Sequence, residues 1–348
     1  MDKVAVLGAG SWGTAAAVLV AKKGYPVCLW GRDPELASRA EEERRNPRYL
    51  PEVVFPGGLR ATSDGEEALS HAETVVVAVP SQAVAEILRD LRAHVAPGVP
   101  VVSLTKGLEI STLRRMTEVI ADELEMPDRL VAALSGPNHA EEVSRDVPSA
   151  TVIASSDQEL ARRLQELFMT PYFRVYTNED VIGVELAGAF KNIIALAAGI
   201  SDGLGYGDNT KASLLTRGLA EMTRLGVLRG ADPFTFSGLA GVGDLVVTCF
   251  SRHSRNRLVG EQLGKGATLE EAVSGMRMIA EGVATVRAVR RLADEEGVEL
   301  PIASQVHAVL YEGKRPFDCV SDLMLRGPTG EAVTESLRKD PVSMDGVL

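Results

Sequence analysis

Six residues near the start of the chain, Gly8-Ala9-Gly10-Ser11-Trp12-Gly13, constrain its fold more than any other stretch. They follow the apolar run Val4-Ala5-Val6-Leu7 and open an alanine-rich segment, so a G-x-G-x-x-G stands between a strand and a helix. In that setting the first glycine permits a tight turn, the second lets a pyrophosphate reach the backbone, and the third lets the helix pack on the strand. The N–H groups of the first helical turn then face an anion. Gly8, Gly10, Ser11, Trp12 and Gly13 are therefore read as dinucleotide-binding.

The rest of the first half repeats this alternation. Strands are expected at Lys3 to Leu7, Pro26 to Trp30, Thr74 to Val79, Val99 to Leu104, Leu130 to Leu134, Ser149 to Ala154 and Phe173 to Tyr176. Helices are expected at Thr14 to Lys23, Pro34 to Arg45, Ala83 to Ala93, Thr112 to Leu124 and Gln158 to Met169. The pattern predicts a parallel sheet wrapped by helices. From about Asn178 long helical patterns take over, at Val181 to Ile200, Lys211 to Leu228, Ala284 to Glu296 and Ile302 to Tyr311. The expected architecture is thus α/β: a Rossmann-like doubly wound sheet over 1–178, an all-α substrate-binding domain over 179–326, and a polar, loosely ordered tail over 327–348.

The chain has 348 residues and a net charge of -11, which disfavours nucleic acid and anionic membranes as partners. Any phosphate site must then be a local basic feature. Cys28, Cys249 and Cys319 lie in no metal-ligand spacing, and the expectation is no metal and three buried thiols. No signal-peptide pattern opens the sequence, so a cytoplasmic protein is expected. Val181 to Ile200 is apolar enough to resemble a membrane span, but Glu185, Lys191 and Asn192 inside it argue for a buried helix.

At the ribose end the second strand runs into Gly31-Arg32-Asp33. Arg32 suits a 2'-phosphate, which favours NADP(H); Asp33 keeps NAD(H) open, or caps the helix before Pro34. Lys191 suits a proton donor, because burial lowers an ammonium's pKa toward neutrality; its alternative is a stem packed on the core with the charge in water. Ser251-Arg252-His253-Ser254-Arg255-Asn256-Arg257 is either a phosphate site at a helix start or a solvated basic loop. Asp244, after Gly241-Val242-Gly243, has three readings: bonding a substrate hydroxyl, holding a lysine, or capping a helix. Two loops after strands, Ser103 to Leu108 and Ser135 to Ala140, offer Lys106 for a carbonyl or phosphate and Gly136 for its amide.

Together, and in this order, Gly8 to Gly13, Ser103 to Gly107, Ser135 to Ala140, Lys191-Asn192, Gly241 to Asp244 and Ser254-Arg255-Asn256 resemble the NAD(P)-dependent glycerol-3-phosphate dehydrogenases over residues 3 to 326. The resemblance implies reversible reduction of dihydroxyacetone phosphate to sn-glycerol 3-phosphate, in support of phospholipid synthesis. It implies Lys191 as the proton carrier, assisted by Lys106, with Gly136, Asn138, Asp244, Ser254, Arg255 and Asn256 around the substrate. Ser11, Trp12, Arg32, Lys106, Ala140, Arg255, Ile279 and Glu281 fall at cofactor positions, and a homodimer is compatible. Asn138-His139 stands where Ser-Phe is common, and Ile279 where valine is. Two rivals remain: a dehydrogenase of a 3-hydroxy acid or sugar phosphate, and a nucleotide sensor without chemistry. The phosphate cluster opposes the acids, and a sensor has no need of Lys191, Lys106 and Asp244 together.

Overall fold

The computed structural model describes residues 2–274, 280–328 and 330–331. Among these the strands are β1 (Lys3–Leu7), β2 (Val27–Trp30), β3 (Arg45–Asn46), β4 (Leu50–Val54), β5 (Leu59–Thr62), β6 (Ala72–Val77), β7 (Val101–Ser103), β8 (Val131–Ser135), β9 (Ser149–Ala154) and β10 (Phe173–Asn178). Eight of them form one sheet in the order β10-β9-β8-β7-β6-β1-β2-β5, and β3 pairs with β4 in a hairpin. The chain moves outward from β1 to β2 and β5, then returns to β6 on the other side of β1. Loops leaving β1 and β6 therefore part company at adjacent carboxyl ends and open a crevice there.

Side chains alternate across the sheet, so Val4 and Val6 join the helices Ser11–Lys22 and Gln158–Phe168 in one core. Ala5 and Leu7 join Val84–Leu91 and Met116–Glu123 on the opposite face. Burying each Val or Leu contributes about 1.5–3 kcal/mol, which explains why both faces of β1, β7 and β8 are apolar.

Three local expectations need correction. The sheet is not wholly parallel, because β8 and β9 run antiparallel; alternation of apolar residues carries no information about strand direction. The edge strand β5 and the hairpin of β3 and β4 went unforeseen, since they are short and mix buried positions with exposed or partly exposed ones. The helix expected from Thr112 begins at Met116, after a loop in which Leu113 adopts φ 62°. The expected loose tail lies almost wholly outside the described residues.

Beyond β10 the helix Val181–Gly203 is the axis of a helical core that includes Asp208–Leu228, Arg255–Gly264 and Glu281–Glu296. Within its most apolar window 83% of the residues are buried inside the protein, so its membrane-like composition is that of a core helix. Arg255–Gly264 crosses it at glycines: a Cβ on Gly199 would strike the carbonyl of Arg257, and one on Gly260 the carbonyl of Leu196. Gly203 and Gly264 meet one turn further along. Backbone packs directly on backbone there. Glu185 of the same axis helix reaches back to the sheet side, accepting from Thr117 N at 2.9 Å, Thr117 Oγ1 at 2.5 Å and Arg115 Nη1 at 2.8 Å.

Candidate active site

One cleft of about 650 Å³ runs from the glycine loop, past the loops after β6 and β7, to the helix carrying Lys191. At its inner end Lys191 is buried on the axis helix, and its Nζ donates to Asp244 Oδ1 at 2.5 Å and Thr248 Oγ1 at 2.7 Å. The other Asp244 oxygen accepts from Lys106 Nζ at 2.7 Å. Lys106 is held further by the Gly136 carbonyl and Asn138 Oδ1, both at 3.0 Å. Of the readings open for Asp244, holding a lysine is the one observed, and it holds two.

Gly188 packs against the end of β8: a Cβ there would stand 2.8 Å from Ser135 Oγ, while Lys106 Cγ would be at an ordinary contact distance of 3.6 Å. Gly136 itself is not on the cleft wall. Its φ of 147° turns the carbonyl to Lys106, with Thr151 packed behind, so it sits one layer back from where its amide was expected.

Burial pushes the Lys191 ammonium down to about 8; the Asp244 charge opposes that shift and the neighbouring Lys106 adds to it. Burial alone would raise the Asp244 carboxyl, but the two ammonium groups hold it below the ordinary carboxylate range. His139 is also on the wall, and burial together with the charge of Lys191 lowers its imidazole below the ordinary histidine range. Its ring stands 6.1 Å from that of His253.

The second corner is built on the glycine crossing. Ser254 caps the helix Arg255–Gly264 by accepting from Arg257 N at 3.3 Å, as the sequence suggested. Asn256 Nδ2 donates to Asn192 Oδ1 at 2.9 Å, and Asn256 Oδ1 accepts from Gly282 N at 2.9 Å. The residue next to the buried lysine is thereby tied to the residue next to Arg255. Behind the loop, Arg257 donates to Asp202 Oδ2 at 2.6 Å and to the Ser251 carbonyl at 3.2 Å. Ser254, Arg255 and Asn256 all line the cleft.

At the outer end the glycine loop fits a dinucleotide. Gly8 has φ 122°, and a Cβ on it would meet the Ala78 carbonyl at 2.5 Å; a Cβ on Gly13 would strike the Gly8 carbonyl. Around Gly10, by contrast, nothing stands within 4 Å, and the helix Ser11–Lys22 starts without a side-chain cap. That leaves a backbone cradle at a positive helix end, suited to a pyrophosphate. Trp12, Arg32 and Ala140 line the same cleft. So does Glu281, which accepts from Ser81 N at 3.2 Å and Ser81 Oγ at 2.5 Å. Ile279 lies outside the described residues.

Sequence reasoning missed Thr248, Ser81 and the turn Asn46–Tyr49. Asn46 is fully buried: Nδ2 donates to the Ala9 carbonyl and to Thr14 Oγ1, both at 2.9 Å, while Oδ1 accepts from Arg48 N and Tyr49 N. Arg48 and Tyr49 thus reach the cleft wall. An Asn-Pro pair before a strand was the available signal, but it marks a turn without saying what the turn packs on.

Comparison with known proteins places these features in a family. Residues 3–161 match the model for the NAD-dependent glycerol-3-phosphate dehydrogenase N-terminus, and residues 180–321 match that for the C-terminus. The chain is 54% identical to glycerol-3-phosphate dehydrogenase [NAD(P)+] of Pelotomaculum thermopropionicum over 331 residues, covering 94% of this chain and 95% of that one. It is 54% identical to the Chlorobium limicola enzyme of the same name, with 94% and 99% covered. The crystal structure of glycerol-3-phosphate dehydrogenase from Coxiella burnetii superposes with a TM-score of 0.90 at 40% identity, covering 93% of this chain and 99% of the other.

Proposed function

The chain belongs to the NAD-dependent glycerol-3-phosphate dehydrogenase family, and from that premise we propose how its own residues divide the work. The reaction is the reversible NAD(P)H-dependent reduction of dihydroxyacetone phosphate to sn-glycerol 3-phosphate. Bound nicotinamide supplies the hydride that reaches the carbonyl carbon.

Lys191 donates the proton that the carbonyl oxygen gains, and in the oxidative direction its neutral amine takes that proton back. A lysine lowered to about 8 carries out both halves near neutral pH, where an ordinary lysine would seldom release its proton. Asp244 and Thr248 aim the Nζ, and Lys106 presents a second positive charge to the substrate oxygens. Asn138 and the Gly136 carbonyl hold Lys106 in place. Ser254, Arg255 and Asn256 take the phosphate, with the start of helix Arg255–Gly264 adding its positive end. The glycine loop with Trp12 and Ala140 cradles the dinucleotide, Arg32 favours NADP(H), and Glu281 closes the cofactor side from across the cleft.

The observation that carries this assignment is the Lys191–Asp244–Lys106 bridge inside the cleft that also holds Arg255. Residues 1–178 act as the dinucleotide half and 179–326 as the substrate half. We add that the product serves glycerophospholipid synthesis in the cytoplasm. The test follows NADPH absorbance with dihydroxyacetone phosphate and with dihydroxyacetone. Rapid oxidation with the first and almost none with the second is expected; equal efficiency on both would remove the phosphate corner from the assignment.

A further inference from the structure

The adenosine end of the cleft holds a charge arrangement that neither the glycine fingerprint nor Arg32 accounts for. Asp33, which by position would take a ribose hydroxyl, is already engaged. Its Oδ1 accepts from Leu36 N at 3.1 Å, capping the helix Pro34–Glu43, and its Oδ2 accepts from Arg48 Nη1 at 2.8 Å. Arg48 comes from the turn that Asn46 pins to the carbonyl of Ala9, so its reach is measured from the glycine loop itself. The guanidinium also stands 6.0 Å from the Tyr49 ring. It lines the main cleft on one side and a smaller cavity of about 180 Å³ on the other. Arg32 lines the main cleft too, and forms no ion pair among the described residues.

Resting on the NADP(H)-favouring reading above, we propose that Arg48 is a specificity-determining residue that shares the cofactor's 2'-phosphate with Arg32, and that Asp33 acts as the tether of Arg48 rather than as a ribose ligand. A dianionic 2'-phosphate entering here meets two guanidinium groups against one carboxylate, whereas a 2'-hydroxyl finds that carboxylate already bonded. Asp33 keeps Arg48 oriented before the cofactor arrives, which lowers the ordering cost of a long side chain. The arrangement is nonlocal: a residue 16 positions beyond Arg32 is folded back to the same ribose by one buried asparagine.

The test measures binding without turnover. Dissociation constants for NADPH, NADH, 2',5'-ADP and 5'-AMP are determined by calorimetry on wild type, Arg48→Met, Arg48→Lys, Arg32→Met and Asp33→Asn. Arg48→Met should weaken NADPH and 2',5'-ADP by about 10- to 100-fold, the value of a charge-assisted hydrogen bond, and leave NADH and 5'-AMP within about twofold. Arg48→Lys should recover part of the loss, because it restores charge without the planar fork. Asp33→Asn should weaken NADPH more than NADH. An Arg48→Met variant with an unchanged NADPH to NADH ratio would overturn the inference, as would an Asp33→Asn variant that loses NADH selectively. If Arg32→Met alone abolishes the preference, the NADP(H) reading survives and the role of Arg48 fails. If wild type itself binds NADH more tightly, the parent reading fails, and the 2',5'-ADP titration of Arg48→Met still decides whether Arg48 meets a 2'-phosphate.

Discussion

Asp244 Oδ1 lies 2.5 Å from Lys191 Nζ, and its second oxygen is 2.7 Å from Lys106. One carboxylate therefore aligns two ammonium groups that would otherwise repel each other within the buried end of the cleft.

Removing the proton carrier should leave cofactor binding and abolish most turnover. Lys191→Ala is expected to lose about 10²- to 10⁴-fold in kcat, the usual contribution of a positioned acid or base. In the wild type, oxidation of sn-glycerol 3-phosphate should rise with pH through about 8 as the amine becomes neutral, and ketone reduction should fall over the same range. The variant should lack both limbs, and Lys191→Arg should restore little, since guanidinium stays protonated. A near-normal kcat with an unaltered profile would hand the proton to another group.

Asp244→Asn separates aim from charge. The Asp244 charge raises the Lys191 pKa against burial, so its loss should move the oxidative limb to lower pH than in wild type. Breaking a buried ion pair also costs about 3–5 kcal/mol, so the midpoint of thermal unfolding should fall. Measuring the pH profile beside Tm distinguishes the two effects; a limb that moves to higher pH would contradict the assigned sign.

The phosphate corner is tested with Arg255→Ala. The KM for dihydroxyacetone phosphate should rise by an amount equivalent to about 1.5–3 kcal/mol, the range for hydrogen bonds to a charged partner. Activity on unphosphorylated dihydroxyacetone should barely change. An unchanged KM would mean that the phosphate binds elsewhere.

Far from the cleft, Glu221 sets a pH dependence of stability. Burial pushes its carboxyl up to about 7, although Ile302 N and Ala303 N donate to it at 2.7 and 3.2 Å. Between about 4.5 and 7 the folded state then holds a proton that the unfolded state releases, so stability is greatest below that window and is lost as pH rises through 7. The shift corresponds to about 3 kcal/mol. Glu221→Gln should show a smaller fall in unfolding free energy between pH 5 and pH 8, by denaturant titration, than wild type does. A steeper fall in the variant would mean that Glu221 stabilises the fold as its charged form, the opposite sign.

What was legible in the sequence was what depends on neighbours in the chain. The Gly8 loop, the Ser254 cap and the buried charge of Lys191 are each determined within one turn or one strand, and each stands where expected. The partners were harder. Asp244 carried three readings because its two lysines lie 53 and 138 positions away, and only the tertiary fold brings them together. The turn that bears Arg48 was overlooked for the same reason, since Asn46 does its bonding to Ala9 and Thr14. Gly136 shows the reverse case, a conspicuous residue whose carbonyl, rather than the amide singled out from the sequence, bonds Lys106.

The glycine crossing of Val181–Gly203 by Arg255–Gly264 has a bearing on selectivity by length. Where Gly199 meets Arg257 and Gly260 meets Leu196 no side chain lies between the two backbones, so the helices that carry Lys191 and Arg255 have no compressible padding at their crossing. The pair behaves as a gauge block whose jaws are a proton donor and a phosphate grip. A ketone phosphate with one more carbon between its carbonyl and its phosphate is expected to bind more weakly, because moving those helices apart means prising apart two main chains. Discrimination among homologous substrates is in this way a property of the scaffold, and variation in the loops of the cofactor half can alter dinucleotide preference without recalibrating it.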